Sequence, residues 1–338
     1  MLSKSPKNVT IWLLRVLGVF LAFGLMAYTI LKTDAKPFDA IKESNKFLII
    51  CAFLCIGSTH FLGAFRWGRL LSVQGIHLKY SLLLKLTLVG VYFSMLIPGA
   101  VSGDLLKLAY VARTREGRGT EAFLTIAMDR IVGVAGLFLV ADLGGILFAA
   151  THWDLVTSNS VIGTSLLIVI LGGLASLAAL AMVIWNDVFL KIPFIAKILN
   201  ALDKRLPKSI TSLIKKLSDS ANLYKSSRKT VIETLLISML IHATLGVGLF
   251  CIGRAIGETS LGFAAYFLST QIGNAVTLIP ATPGGLGLRD VVSAAFFAAF
   301  QTAPTSIIGT IPIVNSILIV TWAMFGAICL GFLDERRN

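Results

Sequence analysis

The stretch SLLLKLTLVGVYFSMLIPGAVSGDLLKLAYVA, residues 81–112, decides the fold. It opens as a long apolar helix, breaks at Pro98-Gly99, and resumes near Ser102. Proline removes a backbone donor and biases the preceding residue toward extended backbone, so one uninterrupted helix is excluded. The arm after the break, 103–112, is ten residues, about 15 Å of helix against a hydrocarbon core of about 30 Å. It cannot cross a bilayer alone. The segment reads as a re-entrant hairpin that enters and returns on one face.

Around it the chain is built of full crossings. Of 338 residues, 56% are hydrophobic and 14% charged, against about 25% charged in ordinary globular chains. Apolar segments run over 10–31, 47–65, 121–150, 161–185, 231–256 and 307–333, each on the order of the 20 residues a crossing needs. Unpaired backbone groups are prohibitive in hydrocarbon, so these are helices. Lys4 and Lys7 ahead of the first segment give it a signal peptide's charge order. Its apolar stretch is too long and no small-residue cleavage pattern follows, so it reads as a retained crossing. The fold class is an all-α polytopic membrane protein with about six transmembrane helices and two re-entrant hairpins.

Charge sets the orientation. If 81–112 simply crossed, the linker 186–229, with ten Lys and Arg residues, would lie outside, against the positive-inside bias. With a hairpin there, twenty of the thirty basic residues fall inside, including the linker, Arg113, Arg115, Arg118, Arg336 and Arg337. Only Lys32, Lys36, Lys42, Lys46 and Arg254 fall outside. Both chain ends are then cytoplasmic. The net charge of +13 follows from this bias, and nucleic acid is not expected as a partner. The linker also carries an amphipathic helix pattern over 210–224, suited to the inner leaflet or to packing on the bundle.

The second half mirrors the first. Residues 261–301 again hold an apolar arm, a break at 280–285 and a second arm, here entering from outside. Two units, 1–150 and 158–338, therefore read as an inverted-topology repeat. Each break places an acid after a Pro-Gly pair, Asp104 after Pro98-Gly99 and Asp290 after Pro283-Gly284. Paired interrupted segments in corresponding halves point to a transporter binding site.

Both second arms begin inside the membrane, so their helix N-termini favour an anion there. The candidate residues are Pro98, Gly99, Ser102, Gly103, Asp104 and Lys107 in the first hairpin, Asp129 and Arg130 in the next span, and Pro283, Gly284, Gly285, Gly287, Arg289 and Asp290 in the second hairpin. Lys107, Arg130 and Arg289 would hold a phosphate. The three acids would orient those cations or meet a cationic headgroup. The structural alternative pairs Asp104 with Lys107 or Arg130, makes Asp290 a cap, and gives the glycines to close helix packing. Arg66, Trp67 and Arg69 read as an interfacial anchor, with Arg66 in reach of a lipid phosphate. Asp142, Glu233, His60 and His242 read as satisfied structural groups. There is no GxSxG, HExxH or Walker-type motif, and the four cysteines lack CxxC spacing. No metal and no cofactor is expected.

These motifs carry a resemblance. Arg66-Trp67 with Leu70-Leu71, Tyr92-Phe93, Pro98-Gly99, Gly103-Asp104, Lys107, Asp129-Arg130 and Pro280-x-x-Pro283-Gly284-Gly285-Leu286-Gly287 resemble the flippase-like transmembrane domain of bacterial lysyl-phosphatidylglycerol synthases. The likeness covers about residues 10 to 333. It departs at Asp104, Lys107, Asp129 and Asp290, where Glu, Arg, Glu and Glu are common. Charge is kept and reach is shortened, a departure that bears on headgroup choice.

The resemblance implies a lipid flippase in a bacterial cytoplasmic membrane. In that family a separate cytosolic domain attaches the amino acid, and no such domain lies within these residues, so transport is expected rather than aminoacyl transfer. The expected substrate is a phospholipid or polyprenyl-phosphate-linked lipid with an anionic or zwitterionic headgroup. The main alternative is an intramembrane enzyme acting on a lipid phosphate, with Asp104 or Asp290 as acid or base. A small-anion carrier or a scaffold is a third reading. A homo-oligomer or a lipid-modifying partner enzyme is compatible with all three.

Overall fold

A computed structural model describes residues 6–97, 102–115, 117–184 and 222–332. Pro98, Gly99, most of the basic linker and nearly all of the expected 210–224 helix lie outside the described residues. In chain order the helices are α1 (Pro6–Thr33), α2 (Pro37–Glu43), α3 (Lys46–Val73), α4 (Tyr80–Leu96), α5 (Ser102–Thr114), α6 (Gly119–Thr151), α7 (Trp153–Ser158), α8 (Ser160–Ile184), α9 (Arg228–Ala255), α10 (Phe263–Val276), α11 (Leu288–Ala298) and α12 (Thr305–Leu330). A 3₁₀ turn, Pro283–Gly285, lies between α10 and α11. No strand occurs among the described residues.

Six helices, α1, α3, α6, α8, α9 and α12, are long and apolar enough to cross a membrane. They match the six expected crossings. The surface agrees, since Leu167, Ile168, Leu171 and Leu174 of α8 are each more than half exposed. Such a belt suits lipid and not water.

The four helices flanking the breaks are shorter. At 17, 13, 14 and 11 residues, α4, α5, α10 and α11 reach only about 25, 20, 21 and 16 Å. The arm after the first break extends to Thr114, longer than the ten residues expected. Ile97 closes α4 in extended backbone, φ −122° and ψ 117°, as a residue before proline prefers. At the second break Gly284, Gly285 and Gly287 all take positive φ, 57°, 73° and 76°. Only glycine enters that region freely, which is why the break is glycine-rich.

Close helix contact runs through small residues, as expected where lipid supplies no hydrophobic drive between helices. A Cβ on Gly103 would collide with the Gly90 carbonyl, so α5 lies directly on α4. One on Gly284 would strike the Met95 thioether, so the second break abuts the last turn of α4. The second interruption therefore meets the end of α4 within the bundle. The largest apolar core joins α3, α9, α10, α11 and α12 through Ile56, Ile252, Tyr266, Phe297 and Ile311. It fixes the second broken pair against the long helices.

Candidate functional site

Beside the first break lies a polar cavity of about 360 Å³, walled by α3, α4, α5, α6, α9 and α10. Asp104 and Lys107 reach it from α5, Asp129 and Arg130 from α6, and Arg66 from α3. The residues are brought together by helix periodicity. Positions 104 and 107 are one turn apart on α5, while 129, 130, 133 and 137 follow one face of α6.

Two ion pairs organise the charge. The Arg66 Nε donates to Asp129 Oδ1 at 2.8 Å, and both side chains are 12% exposed. Arg66 Nη1 also donates to Ser238 Oγ at 2.9 Å. Arg130 Nε donates to Asp104 Oδ2 across 26 residues of sequence. Lys107 lies within the electrostatic field of both pairs, with Asp129 and Asp104 the attracting charges and Arg130 and Arg66 the repelling ones. Its ammonium lies 4.9 Å from the ring centroid of buried Trp67, and it makes no ion pair or hydrogen bond among the described residues. Counted as ions, the cavity holds three cations and two carboxylates, one positive charge in excess.

The second break carries a different cluster. Asp290 Oδ2 accepts from the Gly287 N–H at 3.1 Å and caps α11. Asp290 Oδ1 accepts from Ser316 Oγ at 2.6 Å, and Ser316 Oγ accepts from Arg289 Nη2 at 2.8 Å. Asp290 and Ser316 are fully buried and Arg289 is 7% exposed. These residues do not line the polar cavity.

The sequence-derived candidates are thus divided. Asp104, Lys107, Asp129 and Arg130 share the cavity, with Gly103 packed behind them. Ser102 sits at the start of α5, where its hydroxyl donates to the Phe93 carbonyl at 3.3 Å. Pro283, Gly284, Gly285, Gly287, Arg289 and Asp290 belong to the second break. The expectation that one phosphate meets both Lys107 and Arg289 is not met in this arrangement.

The interfacial reading also changes. Trp67 is fully buried, its indole N–H directed at Thr125 Oγ1 at 3.4 Å, and Arg66 is a cavity residue. The reason is that α3 runs on to Val73, so Arg66 lies about 10 Å inside the helix end and not at it. Arg69 keeps the half-exposed position of an anchor and pairs with Glu233 at 2.8 Å. Glu233 is thereby satisfied, as expected.

Three cavity groups escaped the sequence reading or were misjudged by it. Thr87 Oγ1, His242 Nδ1 and Asn274 Nδ2 are buried atoms without a hydrogen-bond partner among the described residues, and all three residues line the cavity. The His242 ring also has a hydrogen bond with the Gly133 backbone, so it is met in part. Asn274 is the third-last residue of α10, whose polar residues also include Ser269, Thr270 and Gln271, so nothing local singles it out. His60 Nε2 and Asp142 Oδ1 are likewise unpartnered, away from the cavity lining.

An apolar-jacketed bundle of six long helices, two broken helix pairs and a cation-rich internal cavity defines a polytopic membrane protein with an internal polar site. Its sequence matches the lysylphosphatidylglycerol synthase TM region over residues 15–326, and the chain belongs to that family. It is similar to a UPF0104 membrane protein of Pyrococcus horikoshii, 22% identical over 85% of this chain and 87% of that protein. A UPF0104 membrane protein of Archaeoglobus fulgidus is 23% identical over 94% of this chain and 96% of its own length.

Proposed function

We propose that the protein moves an anionic lipid between leaflets, its headgroup held in the polar cavity while the acyl chains stay in the bilayer. The observation that carries this reading is Lys107, a cation with no ion pair or hydrogen bond of its own among the described residues, facing a cavity inside a lipid-jacketed bundle. An ionisable group in hydrocarbon costs roughly 2.5–3.5 kcal/mol on insertion scales. A lipid phosphate would supply the missing counter-charge.

With the orientation read from the basic residues, the cavity would face the cytoplasm. Val73, Gly119 and Arg228 are helix ends on that side, and Arg66, Asp129 and Ile241 lie about 10, 15 and 20 Å inward from them. Ser316, eleven residues from the opposite start of α12, lies about 16 Å from the outer side. On this reading the cavity is open inward and the Arg289–Asp290–Ser316 cluster is the closed outer counterpart.

A repeat relation supports that pairing. Asp104 is the third residue of α5 and bonds Arg130, the twelfth of α6. Asp290 is the third residue of α11 and bonds Ser316, the twelfth of α12. The separation is 26 residues in both. Two re-entrant pairs in inverted units, exchanging open and closed states, would move a headgroup past the second break where it abuts α4. The membrane would be the cytoplasmic membrane, with both chain ends inside.

Transport without chemistry is favoured over an intramembrane enzyme because Asp104 and Asp290 are both committed to partners. Reconstituted protein should move a labelled phospholipid between leaflets with its mass unchanged. A change of lipid mass without movement would replace this reading with the enzymatic one.

A further inference from the structure

We infer that the cavity selects a phosphodiester whose headgroup beyond the phosphate is an uncharged polyol, either glycerol or a sugar, and rejects amine-bearing headgroups. This rests on the lipid-transport reading of the same cavity.

An ammonium entering the cavity would need a carboxylate. Each already accepts from a guanidinium, Asp129 from Arg66 and Asp104 from Arg130, so their charge is compensated before any ammonium arrives. With three cations against two acids, a further positive charge meets net repulsion in a medium that screens it poorly. One negative charge, the charge of a phosphodiester, balances the site at Lys107.

What remains unmet is neutral. Thr87 Oγ1, Asn274 Nδ2 and His242 Nδ1 are buried without partners among the described residues, and Thr87 is 8% exposed. Buried polar atoms are nearly always hydrogen-bonded, so three unsatisfied atoms around one cavity point to something that fills it. They stand on α4, α10 and α9, three walls of the cavity. A threonine hydroxyl donates and accepts, an amide nitrogen donates, and the imidazole nitrogen does one or the other by tautomer. Hydroxyls, which both donate and accept, can satisfy all three. A primary ammonium only donates and cannot answer Asn274 Nδ2 or Lys107, and a quaternary ammonium answers none of them.

The test is native mass spectrometry of the full chain with lipids of identical acyl chains. The probes are phosphatidylglycerol, phosphatidylinositol, phosphatidic acid, phosphatidylethanolamine and lysyl-phosphatidylglycerol. Phosphatidylglycerol or phosphatidylinositol should bind about tenfold or more tighter than either amine-bearing lipid. The stronger of the two identifies glycerol or sugar as the source of the hydroxyls. Thr87→Val and Asn274→Ala should each shrink the preference for the polyol lipid over phosphatidic acid by about fivefold, whereas Lys107→Ala should weaken both lipids together. A variant that is merely unstable would not change that ratio.

Equal or tighter binding of phosphatidylethanolamine or lysyl-phosphatidylglycerol overturns the inference, as does an unchanged ratio in both Thr87→Val and Asn274→Ala. Selective binding without leaflet-to-leaflet movement would remove the transport reading and keep this one. Movement of labelled lipid with no headgroup preference would do the reverse.

Discussion

The two broken helix pairs carry the same parts in different surroundings. In the first, Asp104 bonds Arg130, whose side chain is 48% exposed, and the pair borders an open cavity. In the second, Asp290 and its partner Ser316 are fully buried beside Arg289, and none of the three lines the cavity of the first. Identical placement of an acid after a break does not fix its role. What differs is solvent access, and with it the energetic meaning of each charge. A paired charge beside an open cavity keeps part of its solvation and leaves valence for a ligand, whereas a sealed cluster must satisfy itself internally.

The sharpest way to break this contrast is to remove a cation from each half. Arg289→Ala leaves Asp290 buried without its cation and should cost about 3 kcal/mol of stability. Lys107→Ala deletes a cation that lies over the Trp67 face and makes no ion pair among the described residues, and should cost under about 1 kcal/mol. Denaturant unfolding in detergent measures both. Equal losses would mean that the cavity is as structural as the sealed cluster.

A smaller effect is expected from the helix contact behind the cavity. Gly103→Val drives a branched side chain into the Gly90 carbonyl, and should destabilise by about 2 kcal/mol through overpacking. The same unfolding series reads it. A neutral result would show that α5 can move away from α4 without penalty.

The second half also has a pH handle outside the membrane. Glu258, in the loop between α9 and α10, accepts from Tyr266 Oη, from Ser260 Oγ and N–H, and from the Leu261 N–H. Burial pushes its carboxyl up, but those hydrogen bonds together outweigh burial and hold it below the ordinary 4.5. The unfolded chain therefore takes up the proton first on acidification. The stabilisation is complete above the ordinary value and is lost as pH falls through the folded one. Hydrogen exchange should show α10 loosening before α5 as pH drops below about 4.5, and Glu258→Gln should remove that pH dependence.

Much of this architecture is legible in the sequence, because bilayer thickness ties apolar length to helix length. The six long helices and both breaks follow from that and from Pro98-Gly99 and Pro283-Gly284. The site was legible only in part. Lys107, Asp104 and Arg130 are flagged by charge in an apolar setting. Arg66 was misplaced because its partner Asp129 lies 63 residues away, and no local pattern announces such a pairing. Arg289 resembles Lys107 in sequence, yet burial by α12 separates their roles. Thr87, His242 and Asn274 are individually ordinary, and only the assembled cavity leaves their polar atoms unmet.

The most direct test is the movement of labelled phosphatidylglycerol between leaflets in proteoliposomes, comparing the native chain with Lys107→Ala and with Arg69→Ala as a control outside the cavity. Loss of the Lys107 cation should slow movement at least about tenfold while the unfolding midpoint shifts little, and Arg69→Ala should keep the native rate. Native-rate movement by Lys107→Ala would contradict the claim that the cavity beside the first break holds the lipid phosphate.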